Sequence, residues 1–233
     1  MKTFILIFLL LLPATTFAQK SQVAFHAGTG LFSYGGESAT RSSFINLGDV
    51  PSVSSYTNNP YGKSSAFSYA FGVQLQRFTS KDFIYGIQLS YESLASKLTL
   101  DYAYGDIAWS IREGETTLRT NFINVFPSIG QRVKLIKGID SDFLLGADFA
   151  LALSAEEKYN LTTDQGDKLS GQNARHTPSF DFRPRIEFVT YYQNIGLSIG
   201  YSHGLTNYQS NLDGANRQVN ARYLRFALSF RLM

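Results

Sequence analysis

The stretch DFRPRIEFV, Asp181 to Val189, alternates charged and apolar residues almost without interruption. Because successive side chains of a β-strand point to opposite faces, a strand formed here has one charged and one apolar face. The charged face comprises Asp181, Arg183, Arg185 and Glu187, and the apolar face comprises Phe182, Pro184, Ile186 and Phe188. In a water-soluble sheet the apolar face would point inward. The rest of the chain decides whether that holds here.

The N-terminal segment has the layout of a secretory signal peptide. Lys2 precedes an apolar run from Phe4 to Leu12, Pro13 ends that run, and small residues around Ala18 suit a signal peptidase. The apolar run is too short for a membrane-spanning helix, which needs roughly 20 residues. We therefore predict that residues 1–18 are a signal peptide, that the chain is exported, and that residues 19–233 form a single domain.

The composition favours a protein that meets lipid through a β-sheet. Charged residues make up 17% of the chain and aromatic residues 15%, and there is no cysteine. Soluble domains contain about 25% charged residues. After the signal peptide no apolar run is long enough for a transmembrane helix, which leaves a closed barrel as the structure that can span a bilayer. A secreted β-sandwich also fits this composition. The small net charge and the export signal both argue against a nucleic-acid partner.

Eight segments alternate between apolar and polar residues, as strands do. They are residues 22–32, 66–78, 83–93, 118–133, 143–154, the segment around 181–189, 195–205 and 220–232. The connections at 79–82, 134–141 and 193–194 are short, whereas those at 33–65, 94–117, 155–178 and 206–218 are long. Short turns at one end and long loops at the other are typical of outer-membrane barrels. We predict an all-β, eight-stranded, antiparallel, up-and-down transmembrane β-barrel that is monomeric.

These features resemble the small outer-membrane β-barrel family of OmpA-like, OmpX-like and porin-like domains. The resemblance lies in the signal ending Phe17-Ala18-Gln19, the alternating strands, and the final strand from Phe226 to Met233. It implies a location in the bacterial outer membrane, in contact with its lipid and lipopolysaccharide. It also implies insertion by the barrel-insertion machinery, which reads a terminal strand ending in an aromatic residue. The last residue here is Met233 instead.

A transmembrane barrel reverses the usual meaning of the two faces. Apolar side chains would face lipid, because an arginine on the lipid face near the bilayer midplane costs about 2–4 kcal/mol. The lumen would then receive Glu92, Arg132, Asp148, Asp181, Arg183, Arg185, Glu187, Arg225 and Arg231. The interior of an eight-stranded barrel is just wide enough for side chains to fill. We predict that these residues form an ion network that plugs the lumen; a proton path, an ion site or a gated pore is the alternative.

No motif indicates catalysis or a bound cofactor. His26, His176 and His203 show no spacing to serine or carboxylate residues that suits a nucleophile and its base. Glu156, Glu157, Asp164 and Asp167 lack the spacing of a calcium loop and are expected in a solvated loop. We predict no catalytic residue, no metal site and no cofactor. Pro127 and Pro184 each remove a strand hydrogen bond, so we expect a bulge or a broken bond at both.

The function that the sequence supports is non-enzymatic. It is envelope structure, or binding of a ligand or extracellular partner through the long loops, with loop 33–65 as the main surface. Lys97, Arg119 and Arg222 lie near the predicted outer rim and could meet lipopolysaccharide phosphates. The alternatives are a lipid-modifying enzyme with its site at the extracellular rim, and a narrow pore.

Overall fold

The computed structural model describes residues 20–48, 55–105, 108–136, 138–210 and 218–232. The predicted signal peptide, residues 1–18, lies outside the described residues. Among those described, no helix has the length and hydropathy needed to cross a membrane. The strands are β1 (Lys20–Gly35), β2 (Ser42–Asn46), β3 (Tyr56–Thr57), β4 (Ser64–Phe78), β5 (Phe83–Tyr104), β6 (Ala108–Ile136), β7 (Ile139–Thr163), β8 (Lys168–Ala174), β9 (Phe180–Tyr192), β10 (Ile195–His203) and β11 (Asn220–Leu232).

Eight of these strands close into a ring. In the order β1, β4, β5, β6, β7, β9, β10 and β11, each strand pairs antiparallel with the next. The ring closes where β11 pairs antiparallel with β1, from Val23 opposite Leu232 to Gly35 opposite Asn220. The predicted eight-stranded, antiparallel, up-and-down barrel is confirmed. Such a ring has no free strand edge of its own.

The two ends of the barrel differ. At the short-turn end, β4 and β5, β6 and β7, and β9 and β10 are joined by short connections, and the described chain starts and finishes there. Asp82 and Gln193 adopt positive φ angles of 58° and 51° in two of these turns. At the opposite end, which we call the extended end, β5, β6 and β7 continue well beyond their neighbours.

The expectation of long loops at residues 94–117 and 155–178 is wrong. β5 and β6 pair from Thr99 opposite Glu115 out to Tyr104 opposite Ala108, and β8 pairs with the last part of β7. Within region 33–65, β2 pairs in parallel with β5, and β3 pairs with β2. The result is an extension sheet in the order β3, β2, β5, β6, β7 and β8. It forms because alternate residues bury an apolar cluster of Ile45, Leu98, Leu100, Ala103, Tyr159 and Leu161.

The two prolines interrupt pairing without causing a bulge. Pro127 and Pro184 lie on the two strands that flank β7, both at the level of Ala147. Pairing of β6 with β7 skips Phe126 and Pro127 and then resumes in the same register. Pairing of β9 with β10 ends with Arg185 opposite Ser202, so Pro184, the preceding residue in the chain, is not paired with β10. The missing proline N–H groups account for both interruptions.

The opening stretch has its apolar face outward. Ile186 is 59% exposed, whereas Arg183 and Arg185 on the opposite face are 0% and 2% exposed. The same pattern runs around the ring and gives a barrel with an apolar exterior, as a membrane-spanning barrel requires. Phe78, at the short-turn end of β4, is buried in the lumen, because it lies an odd number of residues from the outward-facing Leu75 and therefore on the other face.

Candidate functional site: the lumen

The middle of the lumen holds a cluster of charged side chains that we call the central network. Its members come from β5, β7, β9 and β11, and none is more than 8% exposed. They are Glu92, Asp148, Asp181, Arg183, Arg185, Glu187 and Arg225. The set contains three arginines and four acids, so each guanidinium has a carboxylate within reach. Buried charges are tolerated only when they are paired and hydrogen-bonded in this way.

Asp148 on β7 is the residue with the most partners. Its carboxylate accepts hydrogen bonds from Arg185 Nη1 at 3.2 Å and from Arg225 Nη2 at 2.8 Å. It also accepts from Ser202 Oγ at 2.7 Å and from Asn124 Nδ2 at 2.9 Å. Four donors on four different strands therefore converge on one carboxylate.

The other three carboxylates also lie beside arginines. Glu92 accepts from Arg183 Nη2 at 2.6 Å and from Arg225 Nη1 at 3.2 Å. Glu187 accepts from Arg185 Nη2 at 2.6 Å. Asp181 lies 3.8 Å from Arg183 Nε. Arginine suits this sharing because its planar fork presents several donors to different acceptors at once.

Each of the three arginines also lies over an aromatic ring. The guanidinium carbon is 5.4 Å from the Phe122 ring for Arg183, 4.0 Å from Phe126 for Arg185, and 4.5 Å from Tyr223 for Arg225. Cation–π contacts of this kind are stronger when desolvated. Phe126 lies on the face of β6 that carries polar residues and points into the lumen. It is buried in the lumen beneath Arg185.

Small residues on β10 leave room for these long side chains. The lumenal face of β10 carries Gly196, Ser198, Gly200 and Ser202. A Cβ atom on Gly200 would lie 3.2 Å from Cγ of Arg225, closer than most side-chain contacts. Between β9 and β11, both of which carry arginines, β10 contributes little volume of its own.

Two of the arginines predicted in one network belong to a second cluster. This short-turn cluster consists of Arg132, Arg231, Asp140 and Asp142. Arg132 binds Asp142 through Nε at 2.7 Å and Nη2 at 2.8 Å, and Arg231 Nη1 donates to Asp140 at 2.9 Å. Among the described residues no ion pair joins the two clusters. Sequence reasoning missed Asp142 because the fifth strand was predicted to start at Phe143. Extending its alternation by one residue would have put Asp142 in the lumen.

An aromatic layer lies between the central network and the extended end. Phe32, Tyr34, Tyr61 and Tyr208 pack there, with ring centroids of Tyr34 and Tyr208 4.9 Å apart. Tyr208 donates its hydroxyl to Asp181 Oδ2 at 2.8 Å. Burial, together with the neighbouring Asp181, raises the pKa of Tyr208 well above its ordinary value, so this hydroxyl keeps its proton. This layer separates the charges of the lumen from the extension sheet.

A polar contact ties the two edges of the extension sheet together. The backbone N–H of Thr57 in β3 donates to Glu157 Oε1 at 2.8 Å, and Arg175 Nε lies 3.3 Å from Glu157 Oε2. Arg175 also donates to the Thr57 carbonyl at 3.2 Å, and Asn173 of β8 donates to the Ser55 carbonyl. The expectation that Glu157 is solvated is wrong: it is 0% exposed, because β3 folds over it.

A small cavity lies in the lumen near the central network. Its volume is about 20 Å³, and its lining includes His26, Gln88, Glu187 and Arg225. A cavity of this size holds about one water molecule. His26 Nε2 lies 2.9 Å from Gln88 Nε2. A larger cavity of about 610 Å³ lies at the short-turn end, lined by Lys20, Arg132, Lys134 and Arg231 among others.

The predicted rim cations do not form one site. Lys97 pairs with Glu115 at 2.9 Å, with both side chains exposed. Arg119 donates to Ser93 Oγ at 2.9 Å and to the Phe67 carbonyl at 3.0 Å. Lys97 and Arg119 lie on the adjacent strands β5 and β6. Arg222 lies on β11, exposed and opposite His203 of β10.

The histidines have partners other than a nucleophile. His203 Nδ1 lies 3.2 Å from the Tyr201 hydroxyl, and His176 is exposed. None of the three histidines, all of which are described, is hydrogen-bonded to a serine or a carboxylate. Within the described part of the chain, no three His, Cys, Asp or Glu residues are placed to hold a metal ion.

The similarity of this chain to known proteins lies in its fold. No protein-family model and no curated protein matches the sequence. The structure is similar to that of Ail, the attachment invasion locus protein of Yersinia pestis, in complex with the heparin analogue sucrose octasulfate. The identity is 10% and the TM-score is 0.39, and the match covers 91% of this chain and 99% of Ail. Neisserial surface protein A matches with 9% identity, a TM-score of 0.37, and coverage of 91% and 98%. The barrel is established by the pairing of its own eight strands.

Proposed function

We propose that this protein is a non-enzymatic, non-conducting barrel of the bacterial outer membrane that binds a partner through its extended end. The observation that carries this proposal is the contrast between the two parts of the molecule. The lumen is filled by the central network and the aromatic layer, while β5, β6 and β7 continue past the ring into a sheet with its own core. Long strands beyond the barrel serve no purpose in spanning a bilayer.

The exterior and the two ends support the proposed location. Apolar side chains cover the outside of the ring, as lipid contact requires. Both described termini lie at the short-turn end, which suits a periplasmic position after export through the predicted signal peptide. The extended end then faces outside the cell. The alternating terminal strand β11 is the segment that the barrel-insertion machinery would read.

The packing of the lumen argues against the two alternatives. A pore needs a continuous water path, but the three central arginines are bound on several sides and stacked on aromatic rings. A rim hydrolase needs a base beside its nucleophile. Ser202, the serine nearest a carboxylate in the lumen, donates to Asp148 and accepts from Arg225. Because two guanidinium groups also bind the Asp148 carboxylate, it is a poor base for this serine, which lies inside the lumen.

Lipopolysaccharide remains a proposed partner at the rim. Arg119 and Arg222 are the more suitable of the predicted residues, because Lys97 already has a carboxylate partner. Guanidinium groups bind phosphates through two parallel hydrogen bonds. Replacing Arg119 and Arg222 by glutamine should weaken binding of purified lipopolysaccharide, measured by co-migration or by calorimetry. Unchanged binding would remove this partner.

Orientation and closure can be tested together. The chain has no cysteine, so single substitutions Asp167→Cys at the extended end and Lys81→Cys at the short-turn end give matched labelling sites. On intact cells a membrane-impermeant maleimide should label Asp167→Cys and not Lys81→Cys. In planar bilayers the purified wild-type protein should show no steady conductance. Labelling of Lys81→Cys alone, or a steady conductance of the wild-type protein, would overturn the proposal.

A further inference from the structure

Two strand irregularities lie side by side at the tip of the extension sheet. The pairing of β5 with β2 skips Asp101, and the pairing of β6 with β7 skips Arg112. The pairing between β5 and β6 shifts register at the same level, between Thr99 and Tyr102. A bulge redirects the side chain of its unpaired residue and is common beside binding sites. Here the unpaired residues are one acid and one base.

Both unpaired residues line the same open cavity on the surface of the extension sheet. Its volume is about 550 Å³, and its lining includes Thr99, Asp101, Tyr102, Ser110 and Arg112. The side chains of Asp101 and Arg112 are exposed, and they make no hydrogen bond or ion pair with any described residue. The cavity therefore presents a free carboxylate, a free guanidinium and three hydroxyl groups, of which that of Thr99 donates to the Arg41 carbonyl at 3.2 Å.

An aromatic surface continues from this cavity. Tyr102 and Tyr104 are 50% and 42% exposed, with ring centroids 6.4 Å apart. The Phe44 ring of β2 packs 4.9 Å from that of Tyr104. Tyrosines of this kind offer a flat apolar face and a polar edge to a ligand. The opposite face of the same strands supplies the buried Ala103 and Ile45, so these three rings are not needed for the core.

We propose that this cavity, with its neighbouring tyrosines, is a binding site for a neutral saccharide. The apolar face of a sugar ring would stack on Tyr102 and Tyr104. Its hydroxyls would donate to the Asp101 carboxylate and accept from the planar fork of Arg112. The acid and the base balance each other, which favours a neutral sugar over a polyanion. A cavity of several hundred Å³ suits a small ligand, whereas a protein partner buries a larger patch.

This site deepens the proposed function, on which it rests, by naming the class of partner that the extended end would bind. The test uses the purified barrel in lipid nanodiscs. The probes are a glycan array of neutral and sulfated oligosaccharides, followed by calorimetry with maltotriose, N,N′-diacetylchitobiose and lactose as neutral sugars. Heparin oligosaccharide is the polyanion control. Trp109, the single tryptophan, lies opposite Ala103 near the cavity, so its fluorescence gives a second readout.

The variants separate this cavity from the rest of the extended end. Tyr102→Ala, Asp101→Asn and Arg112→Gln should each weaken neutral-sugar binding at least about tenfold, the loss expected for one charge-assisted hydrogen bond or stacking contact. Arg41→Gln and Asp167→Asn are matched controls, because both side chains are exposed at the same end and outside the cavity. They should bind the sugar as the wild-type protein does.

Three results would overturn the saccharide site. They are no binding of any neutral sugar on the array, equal binding by the cavity variants and the controls, and binding confined to sulfated glycans. The cysteine labelling and the conductance measurements do not depend on Tyr102. If they give the expected results while the sugar does not bind, the ligand class is wrong and the proposed closed barrel stands. If labelling or conductance fails, the proposed function is overturned as well.

Discussion

The central network and the short-turn cluster use the same chemistry in different surroundings. Both pair arginines with carboxylates and place a guanidinium over an aromatic ring, Phe126 under Arg185 and Phe78 under Arg132, each at 4.0 Å. The central network is closed to solvent and shares each arginine among several acids. The short-turn cluster borders a cavity of about 610 Å³, and the Arg132 and Asp140 side chains are 11% and 24% exposed.

This difference shows why position governs the importance of an ion pair. A charge that loses its partner in a dry interior has no water to replace it, so the cost is large. Beside an open cavity, water can solvate the charge that is left. Removing one partner of an ion pair should therefore lower the free energy of unfolding most in the central network, and less at greater distance from the centre of the lumen.

The largest effect is expected at Asp148. Asp148→Ala removes the carboxylate that Arg185 and Arg225 share, so it should lower the free energy of unfolding by about 3–5 kcal/mol. Urea unfolding in lipid vesicles, followed by the mobility of folded and unfolded protein on gels, measures this. Asp164→Ala, at an exposed turn, is the control. Equal stability of the two variants would show that the central network does not hold the barrel together.

A smaller loss is expected for Arg132→Ala. It leaves Asp142, which is 0% exposed, without its two hydrogen bonds, but removing the Arg132 side chain opens a path to the carboxylate from the cavity that Arg132 lines. The free energy of unfolding should fall by about 1.5–3 kcal/mol, the range for hydrogen bonds to charged groups. The same unfolding measurement applies. A loss as large as that of Asp148→Ala would contradict the solvation difference between the two clusters.

The aromatic rings should contribute less than the ion pairs. Phe126→Leu keeps an apolar side chain but removes the ring under Arg185, at a cost of about 1–2 kcal/mol for a desolvated cation–π contact. Phe71→Leu on the lipid-facing side controls for the change of shape. A larger loss of unfolding free energy for Phe126→Leu than for Phe71→Leu measures the contact with Arg185. Equal losses would show that the Phe126 ring only fills space.

The smallest effect is expected outside both clusters. Lys97 and Glu115 form a pair in which both side chains are exposed, on the adjacent strands β5 and β6. Lys97→Ala should change the free energy of unfolding by less than about 1 kcal/mol, as for other exposed pairs. If Lys97→Ala lowered the free energy of unfolding more than Phe126→Leu does, the proposal that the contribution of a contact increases with its burial would be wrong.

The barrel itself is readable from the sequence because alternation in each strand is a local property. The alternation predicts the strands and the outward direction of Ile186 and Phe188. It also puts Asp148 and Arg183 on the same side of the ring. What that pattern cannot give is contact between distant segments. Glu157 is buried by Thr57, 100 residues away. The strands of the extension sheet were missed because their Gly, Ser and Thr content is that of a loop, and they become strands by pairing with one another and with β2 and β8.

The seam between β1 and β11 has a consequence for how the molecule is made. Arg225 lies on β11, which follows the other described strands along the chain, yet it binds Glu92 and Asp148 on strands made much earlier. Until β11 arrives, those two acids lack one of their cations and the seam is open. Pairing of β11 with β1 thus closes the seam and brings the third arginine into the central network. A chain cut short before β11 would lack both, and quality control in the periplasm would meet an open edge with uncompensated negative charge.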